Sequence, residues 1–411
     1  MHTPDALYRD PAAVAPLTPS PWPPELRALA LQLVEAVARL SDRLHPLTAA
    51  ALAEFLRPAN SYYSNLIEGH DTHPLDIARA LQADYADDPR RRSLQLEARA
   101  HVAVHARLPA LLAAAGGNPY TAGFWCAVHD AFYAHLPDDF RWAVAADGTR
   151  LAVVPGTLRA TEVRVGRHVA PAADAVPAFL WQLEAAYRPA GEPDRLARVA
   201  RIAAAHHRLA WVHPFLDGNG RVGRLCSDAA FHAEGLDAGG LWSMSRGLAR
   251  QQAAYRQALA AADARRWNDH DGRGNLSERA LVAFCRFFLE VALDQVTYMS
   301  GALAVDGMLA RLRGLVQLLV VKRKWRPEAY HVLEAVFLKG SIARREVERL
   351  TGLSERTAKA LAQTLLQAGL LATNPAEHLT PYRAAYPVAF APALFPGLYP
   401  AGKEIDMLNQ P

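Results

Sequence analysis

Lysine is scarce in this 411-residue chain: the 45 basic residues include only Lys322, Lys324, Lys339, Lys359 and Lys403, all in the last quarter. From Gly301 onward 14 Lys and Arg stand against 9 Asp and Glu, so the positive balance of the whole chain, +4, belongs to that quarter. A basic terminal module suits nucleic acid, or equally a solvated positive face. Cysteine is rarer still. Cys126, Cys226 and Cys285 are odd in number, far apart and without Cys-x-x-Cys spacing, which argues against both a disulfide framework and a zinc site. A reducing cytoplasm is the expected setting. Long apolar runs are missing too: the best candidate, residues 315–321, falls far short of the roughly 18 to 20 residues a membrane span needs. The opening residues, with Asp5 and Asp10 among prolines, lack the basic-then-apolar order of a secretory leader.

What the chain does have is apolar side chain for a large core, with 51% hydrophobic and 21% charged residues, and length for two or three compact units. Prolines mark residues 1–24 as an extended arm. A helical region is expected over 25–115, with breaks at 40–48, 58–61, 69–74 and 87–89. Residues 116–300 form a second region, opening with a helix from about Thr121 whose Phe124, Val128, Phe132 and Leu136 recur at core spacing. Residues 140–171 change character and hold the only substantial extended structure. There Val163, Val165 and Val169 lie on either side of Gly166-Arg167, the pattern of a short hairpin. Helices are expected over 175–187, 193–212, 221–234, 245–262 and 277–299, a linker helix over 301–326, and a small unit over 327–411. The fold class is mainly α.

The chemistry concentrates in residues 213–224, His-Pro-Phe-Leu-Asp-Gly-Asn-Gly-Arg-Val-Gly-Arg. Gly218 and Gly220 flank Asn219, so backbone N–H groups there can form an anion-binding concavity. Val222, Leu225, Cys226 and Ala229 then announce an amphipathic helix whose N-terminus favours the same anion. Arg221 and Arg224 project from its first turn, where two guanidinium forks can bracket a polyphosphate. Asp217 is the only carboxylate in the loop and a hard oxygen ligand of the kind Mg²⁺ takes beside phosphates. His213, expected to be extended ahead of Pro214, has an imidazole suited to accepting a hydroxyl proton, and Phe215 should anchor the loop in the core.

Taken together, the twelve residues resemble the signature of the Fic family, His-x-Phe-x-(Asp/Glu)-Gly-Asn-Gly-Arg-x-x-Arg, at every specified position. No Gly-Lys-(Ser/Thr) follows, as a Walker A loop would require. The resemblance implies a Fic-type helical bundle with a β-hairpin flap, and an enzyme that moves AMP from ATP to a Tyr, Thr or Ser hydroxyl of a target protein. Under it His213 is the base, Asp217 holds Mg²⁺, and Asn219 with the amides of Gly218 and Gly220 stabilises the α-phosphate. Arg221 would meet the β-phosphate and Arg224 the γ-phosphate. Val163, Val165, Gly166 and Val169 would form the flap that receives the target by strand addition, though a hairpin that merely covers the core would look the same. Tyr255 would lie on a helix lining the nucleotide pocket, near Arg250 and Gln251.

Ser64-Asn65-Leu66-Ile67-Glu68-Gly69 matches the family's inhibitory pattern (Ser/Thr)-x-x-x-Glu-(Gly/Asn), at the end of what reads as a short helix upstream of the core. Glu68 would pair with Arg224 and deny it to the γ-phosphate. In some relatives the equivalent glutamate also supports removal of AMP. Residues 327–411 resemble a winged helix-turn-helix: a helix over 343–351, a turn at Gly352-Leu353, and a helix from its Ser354 cap to Ala368 that turns Arg356, Lys359, Gln363 and Gln367 outward. Residues 370–373 and 378–382 would supply the wing. Such a module would bind DNA, contact protein or support a homodimer. The competing readings are a DNA-binding regulator with a nucleotide-sensing Fic core, and transfer of UMP or another phosphate-linked group.

Overall fold

The computed structural model describes residues 8–144, 148–323, 325–373 and 380–409. In chain order the first helices are α1 (Pro24–Ser41), α2 (Pro46–Ile67), α3 (Pro74–Leu81), α4 (Pro89–Ala114) and α5 (Ala122–Ala134). After two hairpins come α6 (Val176–Tyr187), α7 (Arg195–Val212), α8 (Asn219–Ala233), α9 (Met244–Arg250), α10 (Gln252–Ala262), α11 (Glu278–Ala302) and α12 (Val305–Arg323). The hairpins are β1 (Trp142–Val144) with β2 (Arg150–Ala152), and β3 (Arg164–Val165) with β4 (His168–Val169). The chain is thus mainly helical, as its periodicity implies.

Local chemistry sets most boundaries. Thr121 Oγ1 accepts the Phe124 N–H at 3.0 Å and starts α5, Asp88 caps α4 through Arg91 N–H at 2.7 Å, and Asp194 caps α7 through Leu196 N–H at 3.0 Å. The hairpin at residues 164–169 has the anticipated register, Arg164 opposite Val169 and Val165 opposite His168, with Val163 just before the first strand. The hairpin β1–β2 also lies within residues 140–171, where extended structure is expected.

The expected break at residues 58–61 does not occur, because α2 runs straight through Pro58. A proline inside a helix forfeits one main-chain hydrogen bond. Here every residue from Pro58 to Asn65 is buried, so apolar contact on all sides outweighs the loss. The helix that ends at Glu68 is therefore long, not short. The single helix anticipated over 245–262 is instead two, parted at Gln251. Nor do residues 8–23 form a free extended arm. They include a 3₁₀ turn, Pro11–Val14, and lie on the core, where Arg208 Nε donates to the Pro16 carbonyl at 2.9 Å and Tyr187 Oη to that of Leu17 at 2.7 Å.

Two helices organise the interior. α7 is buried almost all round and packs on α6, α8, α11 and α1, which makes it the central rod that delivers residue 213. α2 touches α4, α8 and α9 along its length and reaches the C-terminal unit at its start, where Thr48 Oγ1 donates to the Phe337 carbonyl at 2.8 Å.

That unit contains α13 (Ala329–Lys339), β5 (Ser341–Ile342), α14 (Glu346–Thr351), α15 (Glu355–Gln367), β6 (Leu371–Ala372) and β7 (Tyr382–Ala384), in an antiparallel sheet ordered β5-β7-β6. α14 starts later than expected, Gly352 turns the chain at φ 68°, and Ala358, Leu361 and Leu365 face inward on α15 as their spacing implies. Ser354 stands at the α15 N-cap position but its side chain meets Thr357 Oγ1 rather than a main-chain N–H. His378 and Lys324 lie outside the described residues. Beyond the sheet, α16 (Ala391–Leu394) and α17 (Ala401–Asn409) had no counterpart in the sequence reading. They carry the chain back onto α2: Tyr63 Oη donates to the Leu398 carbonyl at 2.7 Å and Lys403 pairs with Asp71 at 2.9 Å.

Arg246 is the clamp of this return. Buried on α9, it donates to the Gly397 carbonyl at 2.6 Å and to Gln295 Oε1 at 3.0 Å, and its guanidinium lies 3.6 Å from the Tyr298 ring centroid. Arg246→Ala should cost about 2 to 3 kcal/mol by stranding these acceptors, seen as a lowered thermal midpoint and faster proteolysis within residues 395–409. An unchanged midpoint would show that the segment is held elsewhere.

Candidate functional site

α7 ends at Val212 and α8 begins at Asn219, so six residues must reverse the chain between two packed helices. Two left-handed residues do this, His213 at φ 50° and Gly218 at φ 80°. The expected extended His213 is thus corrected: as the residue that closes α7, its N–H bonds the Leu209 carbonyl at 3.1 Å. A non-glycine residue there stores on the order of 1 kcal/mol or more of strain, which the surroundings must hold. Arg159 holds it. Its buried side chain donates from Nε to the His213 carbonyl at 2.8 Å and from Nη2 to that of Pro171 at 2.5 Å, and its N–H bonds the Pro214 carbonyl at 2.9 Å. The β3–β4 hairpin lies between Arg159 and Pro171, so one guanidinium ties the hairpin's base to the loop.

Within the loop, Asn219 Oδ1 accepts the Phe215 N–H at 2.9 Å and Asn219 Nδ2 donates to the Phe215 carbonyl at 2.8 Å. The Asn219 amide therefore braces the loop. Phe215 points inward, as expected, and stacks on His129 with centroids 4.1 Å apart.

The expected anion cradle is present and a carboxylate sits in it. A Cβ added at Gly220 would collide with Glu68 Oε1, and one at Gly218 would come within 2.9 Å of the Tyr133 ring, so neither position has room for a side chain. Arg224, 1% exposed, donates from Nε to Ser64 Oγ at 3.0 Å and from Nη2 to both the Ser64 carbonyl at 2.8 Å and Glu68 Oε1 at 2.7 Å. Burial alone would raise the Glu68 pKa, but Arg224, with help from Arg221, overrides it and holds the carboxyl below its ordinary range. Gly69, at φ 90°, ends α2 so that the carboxylate is delivered at the helix tip. The tip is held from α10, where Gln252 Nε2 and Arg256 Nη2 both donate to the Ile67 carbonyl, at 2.8 and 2.9 Å.

Asp217 faces the cradle from the other side. Tyr133 Oη donates to its Oδ2 at 2.7 Å, and Arg221 Nη2 lies 3.4 Å from the same oxygen. Burial pushes its pKa up, but Arg221, Tyr133 and the Gly218 N–H more than reverse this and keep it ionised. His129 fixes the turn: the Gly156 N–H donates to Nδ1 at 2.9 Å, so Nε2 carries the proton toward the Asp217 carbonyl at 3.3 Å. An ionised carboxylate with its side chain 45% exposed and both neighbours on one oxygen fits a divalent cation.

His213 is neutral at physiological pH. Burial lowers its pKa to about 4, with Arg159 and His168 adding to the effect, and the Ala210 carbonyl faces the imidazole. A neutral ring whose N–H is taken by a carbonyl keeps its second nitrogen as a proton acceptor.

Of the remaining sequence candidates, Tyr255 is buried behind Arg224, with its hydroxyl 2.7 Å from His206 Nε2, instead of opening into a pocket. Val163, Val165, Gly166 and Val169 fall on the β3–β4 hairpin, whose turn is exposed and whose His168 Nε2 meets the Trp211 carbonyl at 2.7 Å. Arg159, Tyr133, His129, Gln252 and Arg256 were not foreseen, nor was Glu97 on α4, which pairs with Arg221 at 3.1 Å. For two of them a signal existed: His129 and Tyr133 are spaced i, i+4 beside the apolar stripe of α5, where polar-tipped rings stand out.

A family model, that of the Fic/DOC family, matches residues 119–230, which include the loop, Tyr133, Arg159 and the start of α8. A relative from Drosophila grimshawi named Protein adenylyltransferase Fic is 40% identical over 70 residues, covering 17% of this chain and 14% of its own length. Another of that name, from Nematostella vectensis, is 33% identical over 86 residues, covering 20% and 19%. The chain thus spans under a fifth of the length of these relatives. A crystal structure of a Fic family protein from Desulfovibrio desulfuricans G20 covers 90% of this chain and 98% of its own with a TM-score of 0.52 at 17% identity, a likeness of fold.

The His213 imidazole should stay uncharged in the free protein down to about pH 5, with an NMR titration midpoint near 4. A midpoint at 6.5 or above would contradict its burial against Arg159.

Proposed function

We propose, on the premise that residues 119–230 are a Fic/DOC family domain, that this protein is an adenylyltransferase that moves AMP from ATP to a hydroxyl of a target protein. The observation that carries the reading is the cradle itself: Gly218, Gly220, Arg221 and Arg224 build an anion site, and the group seated there, Glu68, comes from outside the loop.

The chemistry follows from the chain's own groups. The target hydroxyl oxygen attacks the α-phosphorus, a P–O bond forms, the bond to the β-phosphate oxygen breaks, and pyrophosphate leaves. The hydroxyl proton passes to the free nitrogen of His213, which the buried Arg159 keeps in place. Main-chain N–H groups at the start of α8 face the charge that develops on the α-phosphate oxygens. Asp217, oriented by Tyr133, would hold Mg²⁺, which when bound neutralises phosphate charge. Arg221 and Arg224 position the outer phosphates, so binding energy is spent on alignment. The β3–β4 hairpin, tied to the loop through Arg159, would set the distance of the target chain from the imidazole.

In this reading Glu68 is a brake. A carboxylate on Arg224 occupies the γ-phosphate position and adds negative charge where the triphosphate needs positive. The outward Arg356, Lys359, Gln363 and Gln367 of α15 offer a surface for DNA, although Lys359 is already paired with Glu355 at 2.5 Å.

Glu68→Gly should raise AMP incorporation from labelled Mg·ATP into the protein itself or an added target at least tenfold, since one charge-assisted pair is worth about 1.5 to 3 kcal/mol. His213→Ala in the same background should abolish it. Label transfer that survives His213→Ala would remove the base from the mechanism, and an unchanged rate in Glu68→Gly would remove the brake.

A further inference from the structure

The Glu68 contact leaves the second motif arginine unaccounted for. Arg221 is also buried, 5% exposed against 1% for Arg224, yet Glu68 does not hydrogen-bond it. Its Nη1 instead lies 3.1 Å from Glu97 Oε1 on α4, while Asp217 offers only a longer contact of 3.4 Å. The Glu97 side chain is itself 12% exposed, and its other oxygen lies 2.5 Å from His70 Nδ1. That hydrogen bond holds His70 above its usual pKa, and Glu97 bridges Arg221 and His70 with its two oxygens. Arg221 Nε is buried with no acceptor, so the guanidinium is not saturated, and its planar face lies 5.0 Å from the Phe132 centroid. A buried fork with an unused donor, held by a carboxylate from another helix, has the geometry of an anion site with a resident substitute.

We propose that Glu97 is a second resident carboxylate, which must leave Arg221 before the β-phosphate of a nucleotide can be gripped. The resting pocket is then closed at two positions, by Glu68 at Arg224 and by Glu97 at Arg221. The two are connected. His70 is two residues beyond Glu68 on the turn that ends α2, and its N–H bonds the Asn65 carbonyl at 3.0 Å. Withdrawal of the α2 tip would thus remove Glu68 from Arg224 and break the His70–Glu97 hydrogen bond in one motion, leaving Glu97 one anchor fewer to hold it on Arg221. The proposal rests on the nucleotide-binding reading of the site and adds a second control point to it.

Because the two arginines address different phosphates, the nucleotides separate the roles. Calorimetric titration with ATP, ADP and AMP in Mg²⁺, using the full chain, Glu97→Gln and Glu68→Gly, is the test. Glu97→Gln keeps the shape and removes the charge. It should tighten ADP and ATP about tenfold, equivalent to about 1.4 kcal/mol, and leave AMP within about twofold of the unsubstituted chain. Glu68→Gly should favour ATP over ADP. If Glu97→Gln binds ADP no more tightly, or gains equally for AMP, Glu97 is not a competitor and the proposal is overturned while the nucleotide reading stands. If Glu68→Gly and Glu97→Gln both fail to bind ATP, the nucleotide reading falls and the proposal with it. Should Glu97→Gln not fold, a crystal structure of Glu68→Gly with Mg·ADP decides. Glu97 turned away from Arg221 supports the proposal, and Glu97 still paired beside bound ADP overturns it.

Discussion

A guanidinium almost without solvent contact cannot be left unpaired, and Arg224 is such a group. Its Nε and Nη2 donate to Ser64, in the last turn of α2, and to Glu68, which caps that helix. That requirement dictates where α2 must end, and through α2 it shapes much of the molecule. The helix has to run unbroken from the C-terminal unit to the loop at residues 213–218, past a proline that would ordinarily interrupt it. A phosphate is chemically equivalent to the carboxylate as a partner for a buried fork, so the site can exchange one anion for the other without ever leaving the charge bare.

The same helix is held from several sides. Gln252 and Arg256 both hold the Ile67 carbonyl, Tyr63 engages the returning C-terminal segment as does Asp71 just beyond the helix, and Thr48 meets α13. The helix thus joins the C-terminal unit to the cradle through one continuous, largely buried rod. The loop, by contrast, is fixed locally: Arg159, Asn219 and His129 bond its main chain and spare its functional side chains.

The contiguous parts of this arrangement were legible in the sequence. The glycines, the two arginines and Asp217 lie within a few residues of one another, so their gathering at one loop was legible from spacing, and the contact of Glu68 with Arg224 followed from the inhibitory pattern of the Fic resemblance. What escaped was whatever depends on tertiary packing. Arg159 and Glu97 act across distances of 54 and 124 residues, and nothing around either marks it as special. The left-handed His213 was hidden because the residue before a proline reads as extended unless a helix is known to end on it. Pro58 misled for a related reason, since a local rule was overridden by burial that only the assembled core supplies. Helices α16 and α17 went unread because their short, proline-punctuated stretch carries little periodicity until it packs on α2.

The proposed activity requires one loop to grip a magnesium-bound triphosphate and present its α-phosphorus to His213. A crystal structure of Glu68→Gly with Mg²⁺ and a non-hydrolysable ATP analogue addresses this most directly. The account predicts the triphosphate across the start of α8, with its outermost phosphate on Arg224, the metal on Asp217, and the α-phosphorus open to a hydroxyl beside the imidazole. A nucleotide bound away from that loop, or lying there with its α-phosphorus turned from His213, would contradict it.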